Sequence, residues 1–206
     1  MVDDVEYRFA RAPMQTVRAA DFADSYRNPS KELSRRVRAR KLHRLASGYY
    51  CLVPPGEDPS VWHPTLETAG AAIATAIFGD RVPILIGLSA ARVHLAYPRA
   101  ISEASVAVPT QHKRVVLSDR RAGTITFAQR EVGLLDASLV RLELGHALVS
   151  SPAETILELA RAAEVGPRER EAIAALWGKT DLDIVEGLTE GRPRLRPALA
   201  RAAQFR

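Results

Sequence analysis

Asn28 to Pro54 reads NPSKELSRRVRARKLHRLASGYYCLVP, and the reading of this stretch decides how the rest of the chain is understood. Asn28 can accept a backbone N–H at the start of a helix, and Pro29 fits the first helical position, where its missing donor costs nothing. Leu33 and Val37 lie four residues apart and give that helix one apolar stripe. At about 100° per residue, Lys31, Arg35 and Arg38 point away from the stripe, with Ser34 on its flank. After Lys41 the pattern changes to HRLA, then Ser47-Gly48, then YYCLV. Gly in the turn with aromatic and β-branched residues beyond it predicts a hairpin. A basic helix followed by a basic hairpin is the layout of a recognition helix and its wing.

Charge carries this reading further than shape does. From Arg27 to Arg44 the cations are Arg27, Lys31, Arg35, Arg36, Arg38, Arg40, Lys41 and Arg44, against the single anion Glu32. The segment is therefore +7 in a chain whose formal net charge is +5, so everything outside it is slightly acidic. Positive charge concentrated on one element is the footprint of a phosphate-binding surface. The plainer alternative is a solvated face whose Arg stems cover apolar neighbours. In the DNA-binding reading, Lys31 and Arg35 meet base edges, Arg36, Arg40, Lys41 and Arg44 grip the backbone, and Ser34, Arg38 and His43 complete the surface.

Working outward, DDVEYRFAR (3–11) predicts a first helix with acids in its opening turn, as the helix dipole prefers. Pro13 stops it, and Thr16 is expected to cap a second helix, VRAADFADSY. Three short helices and a hairpin make a winged helix-turn-helix over 1–53. PPGEDPS holds three prolines within 54–60 and reads as a linker. A second domain is expected over 61–206. His63-Pro64 opens an Ala-rich helix, TLETAGAAIATAIF, apolar nearly all round and so expected to be buried. VPILIG (82–87) predicts a buried strand and LSAARVHLA (88–96) a helix. SEASVAVP, RVVL, GTITFA, VRLELG and ALVS follow as strands. Ser151 and Glu154 have the spacing of a reciprocal capping box for TILELARAA. Residues 166–206 read as helices broken at Gly178, Gly187–Gly191, Pro193 and Pro197, with Asp181 and Asp183 capping one of them. The expected fold class is α+β: an N-terminal winged helix-turn-helix, then a larger mixed α+β domain with C-terminal helices.

At 206 residues, 47% hydrophobic and 26% charged, the composition is that of an ordinary globular protein. No apolar run approaches the ~20 residues that span a bilayer, and the acidic start MVDDVEYR lacks a signal-peptide pattern. The expected address is the cytoplasm, with no membrane partner. The single cysteine, Cys51, excludes an intrachain disulfide and a cysteine zinc cluster. The loops of P-loop and dinucleotide-binding proteins, the kinase signatures, H-E-x-x-H and G-x-S-x-G are all absent from the sequence. No catalytic, cofactor or metal residue is assigned. Cys51 sits in an apolar strand as a small hydrophobe, and a pairing with His43 lacks an orienting third group. His94 reads as a satisfied core histidine.

L-x-R-L-x-x-G-Y-Y-x-L-V-P at 42–54, S-A-A-x-x-H-L at 89–95 and V-S-S-P-A-E-T-I-L-E-L-A at 149–160 together resemble the AbiEi-type antitoxins of bacterial type IV toxin–antitoxin systems, over about residues 15 to 165. The resemblance implies a winged helix that represses the protein's own operon, bound to operator DNA upstream of its gene. It also implies a C-terminal domain that opposes a nucleotidyltransferase-like toxin without a stable complex. By motif, Lys31, Ser34, Arg35 and Arg38 fall in the recognition helix, His43 and Arg44 at the start of the wing, and Ser47-Gly48-Tyr49 at its tip. Ala46 departs from the pattern, standing where a basic residue is common. Two other classes stay open: an antitoxin that covalently modifies the toxin, for example by phosphorylation, and a ligand-responsive transcriptional regulator with no toxin partner.

Overall fold

The computed structural model describes residues 4–119 and 123–206. The described chain is mixed α+β, with eight α-helices and two β-sheets. The first helix, α1 (Asp4–Arg11), packs Val5 and Phe9 inward. The expected second helix does not form. Thr16–Arg18 is instead a strand, β1, followed by a short 3-10 turn at Ala19–Phe22. Thr16 donates its hydroxyl to Met14 O rather than capping a helix. Asp21 accepts the Arg18 N–H and pairs with its guanidinium, which fixes the chain's exit from the strand. Hydrogen bonding to a neighbouring strand outweighs the weak helix preference of this segment.

That neighbour is the hairpin. Helix α2 (Pro29–Arg38) begins at Asn28, whose side chain accepts the Lys31 N–H, and is followed by β2 (Leu42–Ala46) and β3 (Tyr49–Leu52). The three strands form an antiparallel sheet in the order β1-β3-β2. Gly48 supplies the positive φ, +83°, at the hairpin turn.

The hairpin is wedged between two cores. Leu42 and Tyr50 join Val5, Phe9, Phe22 and Leu33 in a small N-terminal cluster. Leu45, Ala46 and Cys51 join Met14 and the core of the rest of the chain. Ser118 N–H donates to Leu45 O at 2.8 Å, and Ala46 pairs with Leu117 in an isolated bridge. Packing therefore runs across the segment 54–60, which the sequence presents as a linker.

Helix α3 (Leu66–Phe78) is capped by Thr65 and buried over most of its length. It lies so close to β5 (Glu103–Val108) that a Cβ at Gly70 would sit 3.0 Å from that of Ala104. The second sheet continues with β4 (Ile84–Leu85), β6 (Val115–Val116), β7 (Thr124–Gln129), β8 (Ala137–Leu142) and β9 (Gly145–Ser150). Its strand order is β6-β7-β5-β4-β9-β8, with β4/β9 and β5/β7 parallel. Alternation along the strands makes two faces. Ala104, Val106, Val108, Leu85 and Val149 face α3, while Ile84, Ile86, Ala107 and Leu148 face the other way. The apolar run at 82–87 yields only a two-residue strand, because Gly87 opens helix α4 (Gly87–Val93) with φ +60°.

Four helices end the chain: α5 (Pro152–Leu159), α6 (Pro167–Trp177), α7 (Leu182–Glu190) and α8 (Arg196–Ala202). They share a core with α4 through Ala91, Ile156, Leu157, Ile173, Val185 and Ala198. Ser151 caps α5, but Glu154 does not return the bond. Its carboxylate takes the Asp136 N–H and Arg192 instead. Gly187 lies inside α7 and Pro197 in the first turn of α8, so neither breaks a helix. Asp181 occupies the N-cap position of α7 without a side-chain capping bond. No helix among the described residues is long and apolar enough to cross a membrane.

Candidate nucleic-acid interface

Leu33, fully buried in the small cluster, sets the rotation of α2. The opposite face then carries Lys31, Arg35 and Arg38, all exposed. Arg27, in the bend that precedes α2, is exposed and adds a fourth cation beside them. These four cations, with Tyr26, Asn28 and Glu32, line an open groove of about 400 Å³. Arg27 and Tyr26 are the additions the structure makes to the expected surface; Arg27 opens the cationic run of the sequence, and Tyr26 has no signal there.

The other expected residues divide. Ser34 turns toward the sheet, its hydroxyl 3.4 Å from that of Tyr50. Arg35 is 73% exposed at its side chain while donating to Glu32 at 2.7 Å. Arg36 departs from the expected phosphate-gripping role, because its side chain is only 14% exposed and its Nε lies 3.6 Å from Glu32. Burying Leu33 and Val37 on one side of α2 carries Arg36 inward with them. Arg40 is exposed at the left-handed end of the helix, φ +58°. Lys41 is exposed and pairs with Glu6 at 3.0 Å. Arg44 points out from β2, its Nε 3.4 Å from Ala46 O.

His43 is half-buried against Trp62, with the rings edge-on at 5.5 Å. Its Nε2 is enclosed without a hydrogen-bond partner. Desolvation lowers its pKa below the usual value, Asp119 opposing and His63 adding to the effect. His43 faces Cys51 in the strand register. Burial pushes the Cys51 thiol far above its usual pKa. A neutral thiol beside a neutral imidazole is not an activated nucleophile. His43, expected on the DNA-binding surface, thus packs against Trp62 with its Nε2 enclosed. Ala46 is fully buried beside a bulge between Arg44 and Ala46.

The motifs at 89–95 and 149–160 meet in the fold and hold it together. Ser89 Oγ accepts the Ser105 N–H at 2.9 Å, His94 Nε2 lies 2.7 Å from Ser150 O, and Ser150 and Thr155 hydroxyls are 2.7 Å apart. Each is a buried or half-buried polar group satisfied by its neighbour. None faces a cleft.

The architecture defines a mixed α+β protein with a basic helix beside a three-stranded sheet. It is similar throughout to the crystal structure of the Rv2827c protein from Mycobacterium tuberculosis, with a TM-score of 0.54 and 18% identity over 98% of this chain and 78% of that one. At that identity the likeness concerns the fold alone. The sequence matches no protein-family model and no curated protein sequence.

Proposed function

We propose that the chain is a DNA-binding antitoxin of the AbiEi type, which represses its own operon through an N-terminal winged helix. The observation that carries the DNA-binding part is the group of Arg27, Lys31, Arg35 and Arg38 along one open groove beside α2. The order α1, β1, 3-10 turn, α2, β2, β3 supports a winged helix whose middle helix is reduced to the turn at Ala19–Phe22. In that reading α2 enters the major groove, Lys31 and Arg35 meet base edges, and Arg27, Arg38, Arg40, Lys41 and Arg44 hold phosphates. The antitoxin part rests on the resemblance at 42–54, 89–95 and 149–160. The C-terminal domain would act on a nucleotidyltransferase-like toxin by transient contact.

The test is binding of the full chain to the DNA just upstream of its own gene, titrated over salt and compared with random DNA. Specific binding with a steep salt slope, lost in a Lys31/Arg35/Arg38 triple alanine, supports the reading. Equal affinity for operator and random DNA sinks it. Co-expression with the neighbouring toxin gene then tests the antitoxin part: growth rescue supports it, and unrelieved toxicity overturns it.

A further inference from the structure

A second cavity, of about 740 Å³, opens where the end of β7 meets the loop between α7 and α8. Its size is that of a small-molecule site. Five arginines converge on it from separate elements: Arg130, Arg161, Arg192, Arg194 and Arg201. Glu131 is the one acid in its lining. Two further carboxylates lie behind the wall. Glu154 is taken up by Arg192 through both oxygens, and Glu158 is shared between Arg130 at 2.7 Å and Arg161 at 3.4 Å. Five cations against three carboxylates leave the site at +2.

The structural pairs account for Arg192, Arg130 and, at the longer 3.4 Å, Arg161, but leave two arginines unexplained. Arg201 is aimed by carbonyls, donating to Ala160 O at 2.9 Å and Arg161 O at 3.1 Å, and it pairs with no carboxylate among the described residues. Arg194 is exposed and makes no hydrogen bond or ion pair with any described residue. The Nε of Arg130 is enclosed without a partner. Guanidinium groups fixed in place by carbonyls form a preorganised fork for phosphate oxygens. The lining also carries apolar groups: Leu134, which is 59% exposed, with Leu135, Pro193 and the largely buried Leu195. Cations together with exposed aliphatic surface suit a ligand with a phosphate chain and a flat ring.

We propose that this cavity binds a nucleoside di- or triphosphate, its phosphates held by Arg161, Arg194 and Arg201 and its base lying on Leu134. The site is independent of α2 and of the DNA-binding reading. Isothermal titration of the full chain with ATP, GTP, CTP and UTP tests it, with inorganic tripolyphosphate and adenosine as comparison probes. Saturable one-to-one binding of at least one triphosphate is expected, weakened about tenfold in Arg194→Ala with the unfolding midpoint unchanged. Leu134→Ala is expected to weaken the nucleotide and not tripolyphosphate. No saturation up to millimolar nucleotide overturns the proposal, as does binding that survives Arg161→Ala and Arg194→Ala together. Binding lost instead in the Lys31/Arg35/Arg38 variant assigns the ligand to the α2 surface and overturns it too. Tripolyphosphate binding as tightly as the nucleotides also overturns the proposal, because the base then contributes nothing.

Discussion

Arg192 holds Glu154 through two parallel hydrogen bonds, 3.0 and 2.7 Å, and so ties the loop after α7 to the first turn of α5. Glu154 is almost fully buried, with a side-chain exposure of 3%. Removing one partner strands the other charge, so Arg192→Ala is expected to cost about 3 kcal/mol. The double variant Glu154→Leu/Arg192→Leu should recover part of that loss. Urea denaturation measures both, and a single-variant loss below about 1 kcal/mol would class the pair with ordinary surface bridges.

His43 gives the stability a pH dependence. Its folded pKa is depressed, chiefly by desolvation, so the unfolded chain takes up its proton first as pH falls. Its contribution is fully present above about pH 6.5 and is lost as pH drops through the folded value. Urea midpoints between pH 7.5 and 5 should fall more steeply in the native chain than in His43→Gln. Parallel curves would mean that His43 titrates as it does in the unfolded chain.

On the DNA side, Arg35→Ala is expected to relax sequence preference. Lys41→Ala should instead weaken all sequences alike and lower the salt slope by about one unit. Arg36→Ala should leave the salt slope nearly unchanged and lower stability, since its side chain is mostly buried. Fluorescence anisotropy on operator and random duplexes separates the three. Identical losses of specific and non-specific binding in the first two variants would remove the distinction between base-reading and phosphate-holding residues.

Ala46 marks how the hairpin is used. It is fully buried against the larger core, so Ala46→Arg must overpack that core and desolvate a charge, at about 3 kcal/mol or more. Ser47→Arg at the exposed turn should stay within about 0.5 kcal/mol. Thermal melting compares them. An Ala46→Arg protein as stable as the native one would mean that the hairpin lifts readily from the core.

Much of the architecture was legible in local pattern. Asn28-Pro29 and Ser47-Gly48 name their own conformations, because capping and turn geometry need only neighbouring residues. The buried Ala-rich helix at 66–78 was legible from composition alone, since a helix apolar on all sides has no solvent face. Errors fell where a partner distant in sequence intervened. Thr16–Arg18 suits a helix taken by itself but is drawn into a strand by Tyr49–Cys51. Glu154 has the spacing of a capping box but is claimed by Arg192, 38 residues on.

The candidate surfaces divide in the same way. Charge concentration between Arg27 and Arg44 fixed which segment of this protein carries the basic face, because net charge is a property of composition. Burial of Leu33 and Val37 decided which cations of α2 face outward, withdrawing Arg36, and the bend before the helix set Arg27 beside them. The arginine cavity has no trace in the sequence at all. Its five residues are spread from 130 to 201, and only the packing of α5, α7 and α8 beside β7 brings like charges together against their repulsion.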